Sequence, residues 1–411
     1  MVKKKTSIII LNDLRATPIV SVFKLRNSIS DSKIIAHESI FKNNEYADYT
    51  PSIWKYILKL FLKYILKIEI IDRVSTELHD NEDMGFFSSL CSITEDSAPD
   101  KKKYPKEYQA AYNLALGSKD ILNYLKKKSL KLVFVFNGRT ASSYLITKFC
   151  VKSNIKIFYY EFAGHGNGFR VFPVPPHADG KLGEIYLNQH NTGIYDFHHL
   201  KNAEIFLKHE KLNSIYKKST TKKENKTYDV VIFLGSDFEY TSVDPEICDI
   251  TWEGSLDFCK IVINKYGLKR RYTVRCHPNS SNDPNWVNIQ TDLYEGLKSL
   301  TSNIDIISPN SNIDSHYLIE KSNVVATDLS TISLDSILLG QKTDINGNTS
   351  VKLIYENIFF NKLYNNDMKN NIMKPFSLAH NLFVFRYSFL EKTSYYFIFL
   401  INSLFEKVLK K

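Results

Sequence analysis

The chain has few cysteines, and none of them is spaced for a framework. The five, Cys91, Cys150, Cys248, Cys259 and Cys276, are scattered, odd in number and show no Cys-x-x-Cys pattern. That excludes a disulfide scaffold and a cysteine-built zinc site, and it points to a reducing compartment. No run of about 20 uncharged apolar residues occurs, so no membrane-spanning helix is predicted. Met1-Val-Lys-Lys-Lys-Thr6 leads straight into a short apolar segment, too short for a signal peptide, and a cytoplasmic protein is expected. There is no convincing Asp-x-Asp metal motif, recognition-helix pattern or basic–aromatic module, so neither a bound metal nor nucleic acid is expected. Acidic residues are also short, 44 against 54 Lys and Arg, leaving a net charge of +10 that calls for a partner.

What is present is an alternation of short apolar runs and helical stretches. Ser7 to Leu11 reads as a buried strand ending in Asn12-Asp13, and Lys33 to His37 as the next. Polar groups at the carboxyl end of such a strand lie where an open α/β sheet binds ligands, so Asp13 is a candidate site residue as well as a turn former. Trp54 to Asp72 carries lysines at 55, 59, 63 and 67. As one helix this segment is either an interfacial element for an anionic membrane or a core helix with one wet edge. Residues 73–105 read as a mobile acidic loop, and Lys106 to Lys128 as a helix. Leu132 to Phe136, a helix to Ser153, and Ile155 to Tyr160 form a β-α-β unit with polar loops at both strand ends, Asn137-Gly138-Arg139 and Glu161-Phe-Ala-Gly164-His165. Gly164, Gly166 and Gly168 are no dinucleotide fingerprint, because prolines rather than a helix follow. Glu161 and His165 are candidates for a general base or for sugar-hydroxyl recognition; a carboxylate paired with Arg139 or Arg170 is the plainer alternative.

Asn191 to Leu212 reads as helical, Lys217 to Lys226 as a polar interdomain linker, and Tyr387 to Lys411 as one or two terminal helices. A second α/β series then begins. Its strand ends carry Ser236 and Glu239, Arg275 and His277, and Thr327, Ser330, Thr331 and Ser333, with Asp335 about one turn into a helix that ends near Gly340. Ser and Thr at a helix start serve as caps, and the same open N–H groups also favour a phosphate, which a ribose ligand at Asp335 would complement. The boundaries expected are 1–215, a linker at 216–227, 228–385, and a helical segment at 386–411.

Five pieces in order carry a resemblance: Phe136-Asn-Gly-Arg139, Glu161-Phe-Ala-Gly164, Val231 to Glu239, Val274-Arg-Cys-His-Pro-Asn279, and Asp314 through Ser330-Thr331 to Gly340. Together they resemble bacterial capsular and surface-polysaccharide glycosyltransferases of the GT-B fold, two Rossmann-like doubly wound domains facing across a cleft. The resemblance implies a nucleotide-sugar donor held in the second domain by Ser236, Glu239, Arg275, His277, Thr327, Ser330, Thr331, Ser333 and Asp335. It implies a glycan or lipid-linked glycan acceptor in the first domain near Asn137, Gly138, Arg139 and Gly164. The base would be Glu161, His165 or Asp13, with no metal or other cofactor. Asp335 stands where such helices carry glutamate, and Gln341-Lys342 where Gly-Lys-Pro is usual. Polyol-phosphate or sugar-phosphate transfer, and a non-catalytic membrane-associated assembly protein, are the competing readings.

Overall fold

The computed structural model describes residues 5–11, 16–41, 59–78, 84–162, 168–191, 227–248, 254–283, 286–328, 330, 332–338, 341–347, 352 and 384–386. The fold is α/β, with two parallel-rich sheets in two compact units. One unit comprises Met1–Ile93, Asp100–Pro176 and Phe383–Lys411, the other Thr94–Pro99 and His177–Leu382.

In the first unit the chain runs β1 (Thr6–Leu11), α1 (Ala16–Ser28), β2 (Ser32–His37), β3 (Glu69–Ile71), α2 (Met84–Thr94), α3 (Pro105–Lys126), β4 (Leu130–Phe136), α4 (Tyr144–Lys152), β5 (Ile157–Phe162) and β6 (Gly168–Phe172). Five strands are parallel in the order β5-β4-β1-β2-β3. β6 extends the sheet antiparallel, and a late strand, Val384–Arg386, pairs outside it. The isoleucine run of β1 is buried on both faces, as a central parallel strand requires. Its Ile9 and Leu11 pack with Val22 and Leu25 of α1 in one core cluster.

The second unit continues with α5 (Asp179–Asn191), β7 (Tyr228–Phe233), α6 (Asp237–Tyr240), α7 (Pro245–Cys248), α8 (Ser255–Tyr266), β8 (Tyr272–Arg275), α9 (Trp286–Leu300), β9 (Ile304–Ile307), α10 (Ser315–Glu320), β10 (Ser322–Asp328), α11 (Ile332–Leu338) and β11 (Thr343–Asn346). Its sheet is wholly parallel in the order β11-β10-β7-β8-β9. Val230, Ile232 and Val274 pack against α8 and α9, while Val231, Phe233 and Val325 pack against α10. The late strand Val384–Arg386 is β12.

The structure departs from the sequence reading in several places. Trp54 to Asp72 is not one helix. Residues 54–58 lie outside the described residues, Phe61–Ile65 form a single π-helical turn, and Glu69–Ile71 is β3. Between them Lys67 takes a left-handed φ of 52°, while Leu62 and Ile68 are buried in the core. The β-branched Ile70 and Ile71 favour the sheet edge over the helix, so the lysine stripe is broken. The stretch 73–105 is not simply a loop, because α2 buries Phe86, Leu90 and Cys91. The glycine-rich loop is followed by β6, and α5 precedes the helix expected at 191–212. Residues 192–226, with most of the expected linker, and 387–411 lie outside the described residues.

A buried polar knot ties β2 to α3. His37 Nε2 donates to Asp120 Oδ2 at 3.1 Å, and His37 Nδ1 accepts from the Ser39 amide at 3.0 Å. Asp120 also accepts from the amides of Val74 and Ser75 and from the Ser75 hydroxyl, at 2.6–3.0 Å. A Cβ on Gly117 would stand 2.5 Å from His37 Nδ1, so the imidazole occupies room that only glycine leaves. Burial lowers the His37 pKa below its ordinary 6.5, against the opposing pull of Asp120. The neutral ring is the folded form, and the unfolded chain takes the proton first as pH falls. Stability from this knot is therefore complete above about pH 6.5 and declines below it. Urea midpoints at pH 7.5 and 5.5 test this: the fall expected for the native chain is smaller in His37→Gln.

Candidate functional site

In the order β11-β10-β7-β8-β9 the chain winds from β7 toward one edge and returns through β10 toward the other. The helices of the two halves cover opposite faces, which opens a crevice at the carboxyl ends of β7 and β10. Gly235 and Ser236 leave β7 there; a Cβ on Gly235 would meet the Tyr240 ring at 2.8 Å and the Asp328 carbonyl oxygen at 3.7 Å. Ser236 is fully buried, and its Oγ lies 2.8 Å from His277 Nδ1, just past the end of β8.

The protonation of His277 follows from its partners. The Asn279 amide donates to Nδ1 at 3.2 Å, and an amide can only donate. Nδ1 therefore carries no proton, the Ser236 hydroxyl donates to it as well, and the proton of the neutral ring sits on Nε2. Burial, then the nearby Arg275 charge, lowers the pKa of His277 below 6.5. At neutral pH the ring offers an uncharged N–H donor to the crevice end of the sheet. Arg275 itself is buried, and its guanidinium donates to the carbonyls of Ser308 and Ser311 in the loop after β9.

On β10, Thr327 is wholly buried and its Oγ1 has no hydrogen-bond partner among the described residues. Asp328, buried at the same strand end, follows it. The Ser330 Oγ accepts from the Ile332 amide at 3.4 Å, and its carbonyl accepts the Ser333 hydroxyl at 2.8 Å, so Ser330 caps α11 as its sequence position predicts. Asp335 on α11 meets His316 on α10, Oδ2 to Nε2 at 3.3 Å. That hydrogen bond, more than the opposing burial, raises the His316 pKa.

The first unit has the same strand order, β5-β4-β1-β2-β3, and its crevice lies between β1 and β4. Asn137 and Gly138 leave β4 with φ values of 58° and 92°, left-handed conformations that asparagine tolerates and glycine adopts freely. A Cβ on Gly138 would come 2.5 Å from the Tyr159 ring. The turn aims Asn137 Nδ2 at Glu161 Oε2, 2.7 Å away at the end of β5. The Ser89 hydroxyl of α2 accepts from the Ala141 amide at 2.8 Å and holds the far side of this loop.

The sequence candidates thus fall into two groups, one per unit. Asn137, Gly138, Arg139 and Glu161 share one rim; Ser236, Arg275, His277, Thr327, Ser330, Ser333 and Asp335 lie along the other, with Glu239 on α6 behind Ser236. Asp13, Gly164, His165 and Thr331 lie outside the described residues. Glu161 is engaged by Asn137, a partner the sequence reading did not name. His316 and Asp328 were missed, although each sits close to a position already singled out for its strand end or cap. Ser89 was missed with α2, whose Phe86, Leu90 and Ile93 spacing was the available signal. All five cysteines are free and buried, and burial pushes the Cys150 and Cys276 thiols up to about 12, which leaves them poor nucleophiles.

No family model matches the chain, and no curated protein matches it. Among solved structures it is similar to a KpsC beta Kdo 2,7 transferase of Thermosulfurimonas dismutans, with 13% identity over 86% of this chain and 98% of that one, at a TM-score of 0.40. The KpsC beta Kdo 2,4 transferase of the same organism matches with 13% identity over 79% and 87%, at 0.38. A UDP-GlcNAc 2-epimerase from Neisseria meningitidis bound to UDP-GlcNAc matches with 13% identity over 92% and 98%, at 0.28. Likeness at TM-scores this low assigns neither substrate nor reaction to this chain.

The His277 geometry is open to direct measurement. Long-range proton–nitrogen NMR at pH 7 should show the Nε2–H tautomer. Ser236→Ala keeps that tautomer, because the Asn279 amide remains, and raises the His277 pKa by removing a donor to the neutral form. An Nδ1–H ring in the native protein would contradict the assignment.

Proposed function

We propose that the protein is a metal-independent glycosyltransferase that uses a nucleotide-sugar donor and builds a capsular or other cell-surface glycan at the cytoplasmic membrane face. The observation that carries this reading is the second unit's switch point, whose strand ends carry the imidazole N–H of His277, the buried Ser236 bonded to that ring, and Thr327, whose hydroxyl has no partner among the described residues. Transfer from a nucleotide-sugar requires donors fixed where negative charge develops on the departing phosphate. His277 Nε2–H, with Ser330 at the start of α11, is suited to that task, and Asp335 to a ribose hydroxyl pair. The acceptor hydroxyl requires a base. Glu161 takes that role, held in place by Asn137, whose amide donates to the carboxylate.

A thermal-shift screen against UDP, GDP, CMP, CDP and dTDP tests the reading. One nucleotide at about a hundredfold excess over its Kd should stabilise the fold by about 2.7 kcal/mol. Ser236→Ala weakens the shift, and His277→Ala abolishes it. A response confined to CDP, with transfer from a CDP-linked polyol, would move the assignment to polyol-phosphate transfer. No response from a cooperatively folding protein would favour a non-catalytic assembly role.

With the donor identified, Glu161→Gln should lower kcat by about 10²–10⁴ while leaving the nucleotide-induced shift unchanged. An unchanged kcat would remove Glu161 from the reaction.

A further inference from the structure

The net charge of +10 is not spread evenly, and its concentration is a property of the fold. In the first unit the amino ends of the five parallel strands lie side by side in the order β5-β4-β1-β2-β3. At strand spacings of about 4.8 Å these starts form a rim roughly 20 Å wide. Each strand begins at an exposed lysine: Lys156 before β5, Lys131 in β4, Lys5 before β1, Lys33 in β2 and Lys67 before β3. The turn from α3 into β4 adds exposed Lys127 and Lys128. Backbone bonds fix their proximity: the Thr6 amide donates to the Ser129 carbonyl, Ser7 to Asp31, and Val133 to Lys156.

Two carboxylates share this rim, Asp31 and Glu69, and Glu69 is occupied by the Tyr124 hydroxyl. Among the described residues no ion pair involves any of the seven lysines. The corresponding rim of the second unit is treated differently. There Arg270 pairs with Asp229 at 3.9 Å, Arg271 with Asp305 at 3.4 Å, and Lys265 with Asp344 at 2.8 Å. One sheet pairs the cations at its amino-terminal rim with carboxylates; in the other, among the described residues, Lys128 and Lys156 lie over the Tyr124 and Phe158 rings and none of the seven meets a carboxylate.

We infer that the amino-terminal rim of the first unit's sheet, Lys5, Lys33, Lys67, Lys127, Lys128, Lys131 and Lys156, is a docking surface for an anionic lipid bilayer. All seven cations are lysines. Arginine supplies the planar bidentate fork and the stacking that nucleic-acid recognition uses, whereas lysine acts as a mobile point charge suited to a diffuse field. Exposed Val151, in the last turn of α4, gives the same end an apolar contact at the headgroup level. The surface shares only Lys67 with the Trp54–Asp72 stripe that the sequence suggested, and it requires no continuous helix.

The test is co-sedimentation of the full chain with vesicles of phosphatidylcholine alone and with vesicles containing about 30% phosphatidylglycerol, enough to make the surface anionic. The rim variant is Lys127→Glu/Lys131→Glu/Lys156→Glu. The control is Lys101→Glu/Lys102→Glu/Lys106→Glu, which changes the net charge equally at the other end of α3. That helix has 22 residues, so the two sets stand about 30 Å apart along it. The expected result is binding only to the anionic vesicles, lost at high salt. The rim variant should bind at least about tenfold more weakly, while the control stays within about twofold. A Lys→Gln version of the rim set, with an unchanged melting temperature, separates lost binding from lost folding. Equal losses in both variants would show that net charge alone is responsible and overturn the proposal. So would failure to bind anionic vesicles at low salt, or retention on heparin or RNA without vesicle binding. None of these readouts depends on nucleotide binding, so the inference stands or falls apart from the proposed activity.

Discussion

A parallel sheet wound outward from its centre cannot cover the point where the winding reverses. Consecutive parallel strands are joined by right-handed crossovers, so helices before and after the reversal lie on opposite faces. The carboxyl ends of the two central strands are left between them. Both units of this chain obey that constraint with the same strand order, and both open at their first and fourth parallel strands. In the first unit the pairing of β1 with β4 runs to Ile9 and Phe134, while β1 with β2 continues to Leu11 and Ala36. The strands part where the crevice begins. The Ile10 carbonyl at that point is satisfied by the Tyr160 hydroxyl, 2.7 Å away and fully buried. A buried carbonyl costs about 1–3 kcal/mol if left unpaired, so the opening is stabilised by a side chain rather than left as a defect.

Packing behind the rims fixes the chemistry on them. Asn137 reaches Glu161 because β4 ends in two left-handed residues, and the second must be glycine to clear the Tyr159 ring. The loop beyond is held by Ser89 of α2, and Gly85 on that helix admits the Tyr144 side chain, to which a Cβ would come within 2.3 Å. In the second unit Pro278 and the amide of Asn279 turn the chain so that His277 accepts at Nδ1. A histidine at the end of a strand is common. One whose tautomer is set by a backbone amide and a buried hydroxyl has only one way to donate.

The sequence made the parallel strands legible because continuous Ile, Val and Phe runs of four to seven residues have few other uses. Thr6–Leu11, Tyr228–Phe233 and Ser322–Asp328 differ from their expected bounds by a few residues at most. Ser330 was legible as a cap for the same reason, since a short oxygen-bearing side chain before an apolar period has a defined partner. Strand order was not legible, because it depends on which edges pair and no residue type encodes that. α2 was hidden by the acidic, serine-rich residues around it, and α9 by its Asn, Gln and Thr positions. The Trp54–Asp72 segment misled because its four-residue lysine spacing outweighed the Ile68-Glu-Ile-Ile71 alternation that makes β3. The pairings of Asn137 with Glu161 and of His316 with Asp335 join residues 24 and 19 apart, and only the fold brings them together.

The placement of charge in the second unit suits a site that must meet an anion without collapsing on itself. A flexible exposed cation would be strongly hydrated and would lose side-chain entropy on binding. Arg275 is instead buried, with its guanidinium tied to the carbonyls of Ser308 and Ser311. Those two carbonyls fix its terminal nitrogens, so the positive charge is held in one place at the strand end. The depressed pKa of His277 records that charge, second only to burial. A protonated His277 would add a second cation beside the first and break its bond from the Asn279 amide. Keeping it neutral confines the positive charge to the fixed guanidinium and leaves the imidazole to supply direction. Such an arrangement is organised before any ligand arrives, and fixed dipoles around a fixed charge lose little to reorganisation when negative charge develops.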